Sequence, residues 1–177
     1  GEIETPLDKE SIGSALRLFK EADVDCIAIL FLHSWKNDVH EKTAKKILKD
    51  SGFENVICSS EVIPLVKIVT RGQTTLVDAY LSLVLTQYLQ RIQKDLKGIL
   101  LKFMMSSGGL SDFENIRAKD SILSGPSGGA TAAAKICNQL HIKNGIGFDM
   151  GGTSTDVCRY DGTLHRKNET ELAGIRY

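Results

Sequence analysis

Gly145-Ile146-Gly147-Phe148-Asp149-Met150-Gly151-Gly152-Thr153-Ser154-Thr155-Asp156-Val157-Cys158-Arg159-Tyr160-Asp161-Gly162-Thr163-Leu164-His165-Arg166-Lys167 is the stretch that decides how this chain is read. A short apolar run, expected to be a buried strand, ends at the carboxylate of Asp149. Gly151-Gly152 and the hydroxyls of Thr153, Ser154 and Thr155 follow as a tight turn. Asp156 opens a second strand-like run, and Asp161-Gly162 reads as a two-residue turn back into Thr163-Leu164-His165. Paired glycines let backbone N–H groups converge on an anion, and hydroxyls add donors. Carboxylates cannot hold phosphate themselves, so Asp149 and Asp156 are expected to hold Mg²⁺ beside it. The bland alternative is a glycine-rich hairpin whose polar side chains satisfy their own turn. The density of carboxylates, glycines and hydroxyls within eight positions favours phosphate.

Working outward, Ser124-Gly125-Pro126-Ser127-Gly128-Gly129-Ala130 opens an alanine-rich helix expected to reach about Leu140. Glycines near a helix start cost roughly 1 kcal/mol each against alanine. Either close packing against a sheet or N–H groups facing a ligand offsets that cost, and both readings stand. Before it, Ile99 to Met105 reads as a buried strand, with Ser106-Ser107-Gly108-Gly109-Leu110 as the loop at its carboxyl end. Open α/β sheets bind ligands at such ends; a plain tight turn fits these residues equally well.

From about Thr70 to Leu96 runs the longest helical pattern. Leu76, Ala79, Tyr80, Leu83, Val84, Gln87, Tyr88 and Ile92 form its expected apolar face. Arg71, Thr74 and Thr75 near its start are read as ordinary capping residues, with anion contact as the alternative. Further upstream, Asp25 to His33 is a nearly unbroken apolar run of strand length. A helix over about Val39–Asp50, stopped by Ser51-Gly52, leads to a second strand over Asn55–Ser59, making a strand–helix–strand crossover. His33, at a strand end, is expected to be hydrogen-bonded at the rim rather than catalytic. Lys9–Ala22 is a further helix, with Thr5 as N-cap and Pro6 in its first turn. After Lys167 no clear pattern is read.

Composition narrows the classes. Apolar residues make up 42% and charged residues 25%, as in ordinary globular proteins. The 22 basic and 22 acidic side chains cancel, so nothing global points to nucleic acid or an anionic membrane. No apolar run reaches the ~20 residues of a membrane span, and Gly1-Glu2-Ile3-Glu4 is no signal peptide. Cys26, Cys58, Cys137 and Cys158 show no C-x-x-C or metal spacing, so reduced thiols in a cytoplasmic protein are expected.

Asp149-Met150-Gly151-Gly152-Thr153-Ser154-Thr155-Asp156 resembles a phosphate motif of the actin, sugar-kinase and heat-shock-chaperone ATPase superfamily. With Ser124 to Ala130 upstream and Gly147-Phe148 before the aspartate, the chain resembles the hydantoinase A / 5-oxoprolinase family (N-methylhydantoinase A-like). The resemblance implies an α/β fold of mixed sheets with flanking helices, part of an actin-like (ribonuclease H-like) ATPase. Residues 1–120 would end the amino-terminal lobe and 121–177 would start the second. A first phosphate hairpin and an adenosine loop are not found here, so an internal fragment, inactive by itself, is expected.

By resemblance, the whole enzyme hydrolyses ATP to open a cyclic amide, 5-oxoproline (in glutathione metabolism) or N-methylhydantoin, paired with a hydantoinase B-type subunit or domain. ATP and Mg²⁺ are the implied cofactors. Asp149 and Asp156 would be the catalytic, metal-side carboxylates. Gly151, Gly152, Thr153, Ser154 and Thr155 would cradle phosphate, with Ser107, Gly108 and Gly109 as a further wall. Two alternatives remain: a subunit of an ATP-dependent acetone or acetophenone carboxylase, or a non-enzymatic actin-like ATP-binding module.

Overall fold

Two short parallel strands, β1 (Ile27–Ile29) and β2 (Val56–Cys58), pair Ile27 with Val56 and Ile29 with Cys58. They belong to a computed structural model that describes residues 1–165 and, as backbone, the pairs 171–172 and 175–176. The chain divides into two compact units, with the break between Tyr88 and Leu89. The expected lobe boundary at 120/121 falls inside the second unit.

In the first unit, α1 (Lys9–Glu21) starts at Asp8, whose carboxylate accepts the N–H groups of Glu10 at 2.9 Å and Ser11 at 3.3 Å. The expected cap, Thr5, is not used, because an ionised oxygen at Asp8 satisfies two orphan donors and the helix dipole together. The strand–helix–strand unit expected from the sequence is present, with α2 (Val39–Asp50) between β1 and β2. Gly52, at φ +99°, follows the end of α2 in a conformation that favours glycine. Ile27, Ile29, Ala44, Leu48, Val56 and Cys58 form the core, and Phe19 meets Phe53 edge-to-face at 6.2 Å. Burying six such side chains supplies this unit's main driving force.

β1 is shorter than its apolar run. The Phe31 N–H donates to Glu41 Oε1 at 3.0 Å, and the Phe31 and Leu32 carbonyls accept from Arg71. Side chains thus take the hydrogen bonds that a longer strand would have given to a neighbour. His33 is exposed, and among the described residues its ring makes no hydrogen bond, so the expected rim bond is absent. Ser59–Val62 is a single helical turn, α3, so the second strand stops one residue short of the expected Ser59.

α4 (Ile68–Asp95) keeps only part of the expected pattern: Ala79 is buried and Leu83 and Ile92 are half-buried, as the apolar face required. Leu76, Tyr80, Val84 and Tyr88 are exposed, whereas Thr70, Arg71, Thr74, Thr75 and Asp78 are buried. Fully buried Arg71 donates to Ser59 Oγ at 3.0 Å and to the carbonyls of Phe31, Leu32 and Leu65. Thr74 and Thr75 donate to the Thr70 and Arg71 carbonyls at 2.8 and 2.7 Å. Once those polar atoms are satisfied, the helix can turn this face inward.

In the second unit, β3 (Phe103–Met104) pairs antiparallel with β4 (Leu110–Ser111). The expected strand over 99–105 shrinks to two residues because β4 is only two long; Ile99 and Leu100 are exposed. Two 3-10 turns (Phe113–Asn115, Ala118–Ser121) lead to α5 (Ser124–Gln139), which packs on the antiparallel hairpin of β5 (Gly145–Met150) and β6 (Thr155–Tyr160). Thr163 to His165 is not a returning strand. Instead the His165 ring meets Asp161 at 3.0 Å, and Asp161 also pairs with Arg159 at 3.2 Å. These side chains bond to one another across the turn. Glu171–Leu172 (β7) and Ile175–Arg176 (β8), which group with the first unit, form a short antiparallel pair; the remaining residues after His165 lie outside the described ones. All four cysteines are free thiols, and among the described residues no helix is long and apolar enough to cross a membrane.

Candidate functional site

The period of two along β5 and β6 sorts the hairpin into two faces. Gly145, Gly147 and Asp149 face α5, opposite Tyr160, Cys158 and Asp156 respectively. Ile146, Phe148 and Met150 lie on the other face and are exposed, so β5 is not the buried strand the apolar run suggested. The inner face can sit tight on α5 because it lacks side chains at two positions. A Cβ on Gly145 would stand 2.5 Å from Cys137 Sγ. On Gly147 it would stand 2.5 Å from Cys158 Sγ and 3.0 Å from Ala133 Cβ. Beyond these glycines the same face ends at Asp149.

Asp149 and Asp156 are direct cross-strand partners, exposed, and neither forms an ion pair among the described residues. Like charges directly opposite destabilise a strand pair unless a cation joins them. Among the described residues no cluster of three metal-ligating side chains exists. Two carboxylates alone suit Mg²⁺, which commonly takes one or two and fills its shell with phosphate oxygen and water.

The turn itself is closed by Gly151 N–H donating to the Ser154 carbonyl at 2.9 Å. That N–H is therefore spent. Among the described residues, the N–H groups of Gly152, Thr153 and Ser154 make no hydrogen bond in the turn, and open space surrounds the missing Cβ of Gly152. Three consecutive unspent donors at a glycine turn form an anion-accepting concavity. Thr155, by strand alternation, points to the face opposite Asp156, so Thr153 and Ser154 are the hydroxyls left at the tip.

Beside the two aspartates lies a cavity of about 540 Å³, walled by Gly129, Ala130 and Ala133 of α5 and by Gly147 and Cys158 of the hairpin. A Cβ on Gly129 would be 3.6 Å from Asp149 Oδ2. The small residues of α5 thus serve both uses weighed from the sequence: close packing on the hairpin, and approach to the site. Nothing in the sequence singled out Cys158; its alternation with Asp156 was the available signal.

Ser107, Gly108 and Gly109 are not part of this cavity's lining. Gly108, at φ +78°, lies against Thr131, and its N–H donates to Met105 O at 2.8 Å. Ser106 is the organiser there: its hydroxyl donates to Asp120 O at 2.8 Å, accepts Leu123 N–H at 2.9 Å, and its carbonyl accepts the Ser127 hydroxyl. This loop fixes the start of α5. Arg71, Thr74 and Thr75, weighed as capping or anion-contacting residues, spend their donors inside the first unit.

Residues 71–177 match the hydantoinase/oxoprolinase family model, and residues 1–52 match its N-terminal region. A 5-oxoprolinase of Saccharomyces cerevisiae is 42% identical over 176 residues, covering 95% of this chain but 14% of that protein. A nucleotide-free acetone carboxylase structure, described as catalysing ATP-dependent acetone carboxylation, superposes with a TM-score of 0.87 at 30% identity. It covers 97% of this chain and 26% of its own. An ATP-dependent caprolactamase from Pseudomonas jessenii gives 0.78 at 32% identity, covering 90% and 24%. The chain belongs to the hydantoinase/oxoprolinase family.

Proposed function

We propose that this chain is the phosphate- and Mg²⁺-holding part of an ATP-dependent cyclic amide hydrolase, opening 5-oxoproline or N-methylhydantoin. The observation that carries the reading is the hairpin tip. Asp149 and Asp156 oppose each other without a cation partner among the described residues, directly behind the unspent N–H groups of Gly152 to Ser154. The relatives' reaction types, a 5-oxoprolinase and an ATP-dependent caprolactamase, support a lactam as the electrophile. In the carry-over from the family, residues 1–120 belong to one lobe and 121–177 to the next, with a hydantoinase B-type partner completing the cytoplasmic enzyme.

The chemistry follows from a poor electrophile. An unstrained lactam resists water; transfer of the γ-phosphoryl group to its oxygen releases ADP and activates the ring carbon. Water adds to that carbon, and the C–N bond breaks as the ring nitrogen takes a proton and leaves. A second water hydrolyses the resulting acyl phosphate to carboxylate and phosphate. The turn would bind phosphate oxygens through Gly152, Thr153 and Ser154, with Gly151 shaping the turn. Asp149 and Asp156 would hold Mg²⁺, whose positive charge offsets that of the phosphates. Ser107, Gly108 and Gly109 would contribute a wall only where the complete enzyme brings them to the nucleotide.

ATP-dependent ketone carboxylation is the second reading, favoured by the acetone carboxylase superposition. ATP hydrolysis by the complete enzyme with its B-type partner, screened against 5-oxoproline, N-methylhydantoin and acetone plus bicarbonate, separates the two. Stimulation by a cyclic amide, lost in Asp149→Ala, is expected. Stimulation by ketone and bicarbonate alone moves the assignment to the carboxylases, and full activity of Asp149→Ala overturns the site.

A further inference from the structure

Gly129 lies inside α5, where a helix is more stable with alanine. Two reasons account for other glycines of the second unit. Crowding explains Gly145 and Gly147, whose added Cβ atoms would stand 2.5 Å from a cysteine sulfur, and a φ of +78° explains Gly108. Neither reason applies to Gly129. Its φ is outside the left-handed region. Among the described residues beyond its own helix, an added Cβ would meet only Asp149 Oδ2, at 3.6 Å, an ordinary van der Waals distance.

One turn further along, Ala133 does carry a methyl group, and it packs against Gly147. The helix therefore presents a methyl where it meets the backbone of the hairpin and none where it meets the carboxylate. Ser106 holds α5 in this register: its hydroxyl accepts the Leu123 N–H at 2.9 Å, and its carbonyl accepts the Ser127 hydroxyl. The space left bare opens into the cavity of about 540 Å³ that Gly129 and Asp149 both line.

We propose that Gly129 is a positioning residue, whose missing side chain keeps the α5 side of the Asp149 carboxylate clear for the water shell of the bound cation. The inference rests on the reading of Asp149 and Asp156 as the Mg²⁺ pair. Mg²⁺ gives up its waters reluctantly and keeps several of them. A methyl group touching Oδ2 would displace that water and offer no ligand in exchange.

The test compares Gly129→Ala with Gly128→Ala. A Cβ at 128 would meet Met104 at 3.8 Å, and Gly128 does not line the cavity. In chelator, both variants of the 177-residue chain should melt about 2–4 °C higher, the gain of alanine over glycine in a helix. The complete enzyme is then titrated with Mn²⁺, which shares the octahedral oxygen preference of Mg²⁺, and free Mn²⁺ is read by electron paramagnetic resonance. Gly129→Ala should weaken binding by about tenfold, the usual cost of disturbing what surrounds a metal ligand, and Gly128→Ala should stay within about threefold. Saturating Mg²⁺ should return the ATP turnover of Gly129→Ala to near the wild-type rate, because the ligands are intact. A lower melting temperature in Gly129→Ala, or an equal loss of Mn²⁺ binding in Gly128→Ala, would overturn the inference. So would unchanged binding in Gly129→Ala beside a loss in Asp149→Asn, which leaves the Mg²⁺ pair standing. Full Mn²⁺ binding by Asp149→Asn would overturn the pair itself, and this inference with it.

Discussion

A Cβ placed on Gly147 would lie 2.5 Å from the Sγ of Cys158, its partner across the hairpin. Real Cβ atoms do not approach so closely, and Ala133 Cβ at 3.0 Å blocks escape toward α5. Gly147→Ala should therefore destabilise the second unit by about 1–3 kcal/mol, the usual cost of overpacking. Adding Cys158→Ala removes the sulfur and should restore part of that loss. Urea midpoints of the three proteins check this. Additive losses in the double variant would mean that the two positions do not share the space.

Glu41 is the first unit's internal acceptor. Burial pushes its carboxyl up, but the Ser59 hydroxyl at 2.6 Å and the Ser60 and Phe31 N–H groups outweigh burial and hold it below 4.5. A depressed carboxyl contributes stability that is present above its unfolded value and lost as pH falls through the folded one. Stability of the first unit should thus fall as pH drops below about 4.5. Glu41→Gln should cost about 1–3 kcal/mol at neutral pH and flatten that acid slope. Thermal melts between neutral pH and acid decide it; an unchanged slope would remove Glu41 from the titration.

The Cys58 thiol is fully buried, and burial pushes its pKa up from 9.0 to about 12. It should therefore resist alkylation in the native state while half-buried Cys26 and Cys158 react. The folded state keeps the Cys58 proton that the unfolded chain releases above 9.0, so this contribution to stability declines as pH rises toward about 12. Mass mapping after a short iodoacetamide pulse at mildly alkaline pH checks the order; early labelling of Cys58 contradicts it.

Much of this was legible because certain residues have one plausible local use. Gly151-Gly152 between two strand-like runs could only be a turn, and Ser51-Gly52 ended α2 as read. The faces were harder. Residues 70–96 carry an apolar stripe, but a buried arginine that reaches four acceptors turns the polar side of α4's first turns inward, leaving Ala79 buried and Leu76 and Tyr80 exposed. Periodicity records polarity, not long-range partners, and Phe31 lies 40 residues from Arg71. The run through Asp149 was likewise right as a strand and wrong as a buried one, because small Gly145 and Gly147 mark the packed side more truly than Ile146 and Phe148. Ser107 to Gly109, a phosphate wall by resemblance to the family and equally a plain turn by composition, lie in a loop whose Ser106 anchors α5. Short polar loops look alike until their donors are assigned.

Asp149 opposite Asp156 makes a prediction in which stability and function move in opposite directions. Two like charges across a strand pair cost about 0.2–1 kcal/mol in the absence of a cation. Asp149→Asn removes the repulsion while keeping the shape, so in chelator the second unit should become more stable by about that much. The same substitution removes half of the proposed Mg²⁺ ligation, so in the complete enzyme Mg²⁺-dependent ATP turnover should fall by about a hundredfold or more. Melting the wild type and Asp149→Asn with and without Mg²⁺, beside turnover, separates two roles for the pair. A hairpin needing Asp149 only for its fold would lose stability in chelator; a paired cation site gains it and loses activity.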